Sequence, residues 1–160
     1  GLGDVYKRQG IVLSAGNVKP MITGNSNRSA AGNTILGVSG KWNDTEVARI
    51  AVEAGADTTN KDDGTLNFST TTSGGSLTKR MTIDSSGHVL PATNDTYDLG
   101  SSSLRWRDIY TGDLNLSNEG KTNDVDGTWG DYTIQEGESD LFLINNRSGK
   151  KYKFNLTEVS

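Results

Sequence analysis

The stretch "GTLNFSTTTSGGSLTKRMTIDSSGHVL" (residues 64–90) decides the fold. Leu66, Phe68 and Thr70 alternate with Asn67, Ser69 and Thr71, a period of two that puts one set on each face of a strand. "TSGGS" (72–76) is a run of turn formers. After it Leu77, Met81 and Ile83 share a face, opposite Thr78, Arg80, Thr82 and Asp84. "DSSG" (84–87) turns the chain again, with Gly87 free to take a positive φ. The segment reads as an antiparallel meander with polar side chains facing water.

Outward from that segment the same texture fills residues 10–95: short β-like runs separated by turn clusters. One stretch is ambiguous. In "DTEVARIAVEAG" (44–55), Val47, Ile50, Ala51 and Ala54 form a helical stripe, with Asp44 or Thr45 as cap and Gly55 as stop. Ala48, Ile50 and Val52 equally form a strand face, although local propensity tips the balance toward helix.

Residues 96–120 break the texture. "YDLGSSSLRWRDIYTGDL" (97–114) crowds a Trp, two Tyr and two Arg together in a chain otherwise short of bulk. Gly100 and three serines can cap one helical turn. A strand is expected next, with Ile109, Thr111, Asp113 and Asn115 on one side and Tyr110, Leu114 and Leu116 on the other. Trp106 is the expected apolar plug. Residues 121–160 then form a compact β unit. Tyr132 and Ile134 alternate, "LFLI" (141–144) is apolar on both faces as in a central strand, and Tyr152, Phe154 and Leu156 alternate with Lys151, Lys153 and Asn155. "NRSG" (146–149) is a hairpin turn with Gly149 in a left-handed position. The anchors expected across both regions are Trp106, Tyr110, Leu114, Trp129, Phe142, Ile144, Tyr152 and Phe154.

Composition explains why anchors matter. Ser, Thr, Asn and Gly make 68 of 160 residues, while 32% are apolar and 7% aromatic. A compact monomer of this length buries about two-thirds of its unfolded surface, and this chain has little apolar area to do it with. Disorder is a poor alternative, because 22% charged residues with a net charge of only −4 do not repel the chain apart. The remaining solution is a core shared among copies. There is no cysteine to staple the fold, and no apolar run approaches a membrane span. Residues 1–9, "GLGDVYKRQ", lack the apolar run of a signal peptide and resemble a non-native read-through segment of the kind found at the ends of environmental sequence assemblies. On that reading the natural protein extends further at its N-terminus.

"LTKRMTIDSSGHV" followed by "NDTYDLGSSSLRWRDIYTGDLNLSNEG" resembles the distal part of bacteriophage tail fibre proteins, those of marine phages especially. The resemblance covers roughly residues 45–120. The terminal "DGTWGDYTIQEGESDLFLINNRSGKKYKFNL" is similar to an end unit found in the same proteins in place of a C-terminal intramolecular chaperone domain. It lacks the long helical tail and Ser/Lys dyad of that domain, so self-cleavage is not expected. The resemblance implies an all-β, β-prism-like shaft of short strands that ends in a tip or trimer clamp, built as an intertwined homotrimer. It favours strand for 44–55. It also implies a virion location after synthesis in the host cytoplasm, contact with other tail proteins, and attachment to a bacterial surface glycan or protein. No cofactor is implied.

Chemistry-bearing residues are sparse. His88 could join Asp84 with Ser85 or Ser86, but a triad needs its base oriented within a shaped pocket, and these are neighbours on one turn. "NDVDG" (123–127) begins like a calcium loop through Asp124 and Asp126, yet position twelve of that loop is Gln135. "NKDDG" (60–64) is a looser match. Asp126 with Asp131, or Glu136 with Glu138, could serve a glycan depolymerase, which requires two carboxyls about 5–9 Å apart across a cleft. Arg147, Lys150, Lys151 and Lys153 form a basic patch without the stacking platform of a nucleic-acid site. On an edge hairpin such lysines guard against sheet-to-sheet aggregation, and contact with acidic surface glycans of a host cell is a third reading of the patch. The expectation is therefore a non-enzymatic structural and binding protein, with "SNEGKTNDVDGTWG" (117–130) and "QEGESD" (135–140) as the loops for receptor contact. A trimeric bacterial adhesin shares the polar β composition but is expected to carry a C-terminal membrane anchor, which "LTEVS" (156–160) is not.

Overall fold

The computed structural model describes residues 22–159, so the reading of residues 1–9 lies outside it. Every regular element among the described residues is a strand, and none is a helix. The chain divides between Leu99 and Gly100 into two units. The first carries a five-stranded antiparallel sheet: β1 (Thr34–Trp42), β2 (Thr45–Ala54), β3 (Gly64–Thr70), β4 (Thr78–Ile83) and β5 (Val89–Pro91). The second carries a four-stranded antiparallel sheet: β6 (Leu114–Ser117), β7 (Asp131–Glu136), β8 (Leu141–Asn145) and β9 (Lys151–Lys153). Strand order follows chain order in both. Each sheet is a meander whose strands pair with their sequence neighbours.

Within residues 44–55 the chain is strand from Thr45 to Ala54, and the turn before it shows why. Asn43 and Asp44 take φ of 48° and 63°. That is the two-residue loop whose left-handed residues match the twist of a hairpin, and Asn and Asp adopt it at low cost. Asp44 is therefore a hairpin corner and not a helix cap. β2 then bonds along both edges, to β1 and β3. A helix over 47–54 would strip both neighbours of their partner, so pairing overrides propensity.

A second difference lies in β4. Thr78 stands opposite Thr70 and Met81 opposite Phe68, with a register shift between. Arg80 is the extra residue of that bulge, so Thr78 shares the face of Met81 instead of opposing it. The bulge directs Arg80 to the Thr70 hydroxyl and to the Tyr97 hydroxyl, both at 3.1 Å, with its guanidinium 5.3 Å from the centre of the Tyr97 ring.

The junction also departs from expectation. Residues 100–113 contain no helical turn and no strand. The Ser101 hydroxyl oxygen accepts the Leu104 amide at 3.0 Å while the Ser101 amide donates to the Leu104 carbonyl at 2.8 Å. This closed serine turn uses the cap where a helix would have started. The strand begins only at Leu114, leaving Ile109 and Tyr110 ahead of it, and β6 belongs to the sheet of the following forty residues.

The turns of residues 84–87 and 146–149 take the expected form, with Gly87 at φ 87° and Gly149 at φ 70°. β8 is an inner strand and β9 an edge.

Candidate functional site

Directly opposed residues of antiparallel strands point to the same face, so the registers sort every side chain of both sheets. In the five-stranded sheet one face carries Leu36, Val38, Ile50, Val52, Leu66, Phe68, Met81, Ile83 and Val89. The other carries Gly37, Ala51, Asn67 and Thr82 across its centre. The polar face is the closed one. Asn67 is 1% exposed; its amide donates to the Thr65 hydroxyl at 2.9 Å and its carbonyl accepts from Thr82 at 2.7 Å. Glu53 stands opposite Thr65 and Lys79 opposite Ser69, so their 2.9 Å ion pair crosses β3 diagonally over Asn67. Arg49 pairs with Glu46 beside it and holds the Glu46 carboxyl below its ordinary value.

The apolar face has no such cover. Val38, Ile50, Val52 and Val89 are exposed, and Leu36, Leu66, Phe68, Met81 and Ile83 are only half-buried. Part of what shields Leu36 is the close approach of Gly24, where a β-carbon would stand 2.7 Å from that of Leu36. Among the described residues the one apolar side chain that is fully buried is Ala51, at 3%.

The four-stranded sheet repeats the arrangement. Leu114, Leu116, Tyr132, Ile134, Leu141, Leu143 and Tyr152 share one face, of which Leu114, Leu116 and Tyr152 are exposed. On the other, Thr133 is 7% exposed; its hydroxyl donates to Asn115 at 2.7 Å and accepts from Asn146 at 3.0 Å. Phe142 and Ile144 lie on this second face with Lys151 and Lys153, so these two anchors are not part of the apolar sheet face. Phe142 packs against Gly137, and Lys153 pairs with Asp140 at 2.7 Å. Phe154 is half-buried, its amide bonded to the Leu141 carbonyl at 3.0 Å.

The junction anchors stand in solvent in the single chain. Trp106 folds back toward Gly100 yet is 63% exposed, and Tyr110 is 92% exposed. Leu99, Leu104 and Ile109 are exposed as well. Within one chain Trp106 is therefore uncovered.

Trp129 leads to a feature that sequence reasoning missed. The Arg147 guanidinium stacks 3.8 Å from the centre of the Trp129 ring and donates from Nη1 to the Trp129 carbonyl at 2.6 Å. With Tyr132, Asn145 and Ser148 they line an open cleft of about 400 Å³. Asn145 builds it: its carbonyl accepts the Arg147 and Ser148 amides and its amide group donates to the Tyr132 hydroxyl at 2.9 Å. The signal was an aromatic in one loop and a cation in a hairpin far along the chain, and only the β7–β8 pairing brings them together.

The other candidates resolve into turn chemistry. The Asp84 carboxylate accepts the His88 amide at 2.9 Å and the Ser86 amide at 2.9 Å, and its second oxygen lies 3.0 Å from His88 Nδ1. These bonds, the His88 amide first, hold its pKa below the ordinary value. Asp126 accepts from Thr128 and Asn123, and is lowered for the same reason. Asp63 accepts the Ala56 and Asp57 amides, and Asp57 accepts those of Thr59 and Asn60. Asp131 receives Asn146 at 2.9 Å. No three His, Cys, Asp or Glu side chains come together as a metal site among the described residues, Asp124 and Asp126 included. No helix among them is long and apolar enough to cross a membrane.

Comparison with known proteins brings no family to this chain: no protein-family model matches it, and no curated protein is significantly similar.

Proposed function

We propose that this chain is a distal segment of a phage tail fibre, a homotrimeric virion protein that helps attach the particle to a bacterial surface. The observation that carries the reading is that Ala51, on the polar face of the first sheet, is the one fully buried apolar side chain among the described residues, while the apolar face of each sheet is open. The deficit lies in those faces: in the single chain their apolar side chains are exposed or only half-buried, and a face of that kind is what an obligate interface covers.

Sister copies meet that deficit in the right chemistry. Burying a Val, Ile or Leu side chain fully is worth about 1.5–3 kcal/mol, and each copy offers several that are half covered. Trp106 and Tyr110 are the largest unburied side chains of the junction, and in the trimer they lie against neighbouring copies and fix the register of the three chains. The polar faces, closed by their own hydrogen bonds, face water. The sequence resemblance in "RMTIDSSG" and "LGSSSLRWRDIY" supplies the virion setting. Gene order tests it: neighbours encoding tail or baseplate proteins are the expected result, and a locus of bacterial secretion genes would replace the phage reading with the adhesin.

A further inference from the structure

We propose that the Trp129–Arg147 cleft binds a sugar ring bearing a carboxylate, an acidic residue of a surface polysaccharide. This deepens the attachment reading and rests on it.

Tyr132 accepts from Asn145 through its hydroxyl oxygen, so its own O–H remains to donate. The Ser148 oxygen accepts the Lys150 amide at 3.3 Å and likewise keeps its proton for another acceptor. Arg147 spends Nη1 on the Trp129 carbonyl; Nε and Nη2 meet no acceptor and no carboxylate pairs with it among the described residues. Each of these groups can therefore donate, the hydroxyls through their protons and Arg147 through its Nε–Nη2 edge, and no carboxylate lines the cleft to compete for them. A carboxylate, which only accepts, suits that set. The side edge of a guanidinium, Nε with Nη2, matches the two oxygens of a carboxylate.

Arg147 is also held in advance. Stacking on Trp129 and the bond to its carbonyl fix the long side chain, so little rotamer freedom is lost when a ligand arrives. Arg147 covers one face of Trp129, and the half-buried Tyr132 ring beside it supplies flat apolar surface for the C–H side of a sugar. In a chain of net charge −4, a guanidinium that meets no carboxylate among the described residues suits an anion.

The test titrates the full chain with oligogalacturonate, its neutral methyl ester and inorganic phosphate, by calorimetry. The expected result is binding of oligogalacturonate, at least tenfold weaker binding of the ester, and none of phosphate. Arg147→Gln is expected to lose at least tenfold in affinity, with assembly unchanged by light scattering. Equal binding of acid and ester, equal competition by phosphate, or unaltered affinity in R147Q overturns the inference. The comparison of acid with ester uses the native chain, so a variant that fails to fold does not decide it. Failure of sugar binding by an intact assembly overturns this cleft alone, whereas a monomeric chain overturns the assembly and leaves the cleft standing.

Discussion

The two sheets solve the same problem with different materials. Each closes its polar face around one buried polar side chain, Asn67 in the first and Thr133 in the second, and leaves its apolar face open. The first closes it with charge: Glu53–Lys79 spans β3 and Glu46–Arg49 flanks it. The second uses mostly neutral partners, Asn115, Thr133 and Asn146. The open faces differ too. That of the five-stranded sheet is aliphatic with one Phe, while that of the four-stranded sheet carries Tyr132 and Tyr152, whose hydroxyls tolerate water. A buried polar residue costs little once its hydrogen bonds are made, whereas an open apolar face is satisfied only by another surface. The five-stranded sheet should depend more heavily on assembly.

The largest expected effect follows directly. Ile50→Lys, in the centre of the aliphatic face, should reduce the light-scattering mass to that of one chain. Ser39→Lys, on the polar face beside Glu46, should leave it unchanged. Leu116→Lys, on the tyrosine-bearing face, should weaken assembly less than Ile50→Lys. If the two lysines on the apolar faces act equally, the sheets do not differ in the way described.

Next come the buried polar centres. Asn67→Ala strands the Thr82 hydroxyl under the ion pair and should cost about 1–3 kcal/mol in denaturant unfolding. Thr133→Val keeps the volume and removes the hydroxyl that donates to Asn115 and accepts from Asn146, whose amide keeps its bond to Asp131, and should cost about 1 kcal/mol. A reversed order would show that the charged lid does not seal Asn67.

Acid should separate the sheets more gently. In the first unit Glu46, Asp57 and Asp84 are held below their ordinary pKa, by Arg49 and by backbone amides; in the second, Asp126 is. A carboxyl whose folded pKa is depressed contributes stability above its unfolded pKa and loses it as pH falls through the folded value. Both units should weaken below the ordinary carboxylate range, the first more steeply. Amide exchange resolved by sheet between neutral and acid pH reads this, and a steeper loss in β6–β9 would contradict it. The smallest effect is Lys79→Met. It removes a partly exposed ion pair and should shift stability by less than about 1 kcal/mol, with less sensitivity to salt.

How far the sequence was legible follows from how local each signal is. Leu66/Phe68 against Asn67/Ser69, the glycine turns at 87 and 149, and the inner strand at 141–144 are written in adjacent residues and read correctly. The Asn43–Asp44 corner was equally local, but the helical stripe of Val47, Ile50, Ala51 and Ala54 masked it. The Arg80 bulge is a matter of pairing with β3, which no single strand reveals. The serine turn at 101–104 uses the signature of a helix cap without a helix behind it. Least legible was the cleft, since Trp129 and Arg147 meet only through the register of β7 and β8.

Static light scattering of the full chain over a range of concentrations is the most direct trial of the shared interior. The account predicts three times 17.1 kDa, independent of dilution, with Trp106 fluorescence shielded from acrylamide in a W42F/W129F background. A species of one chain that unfolds cooperatively by itself, with that ring open to quencher, would contradict it.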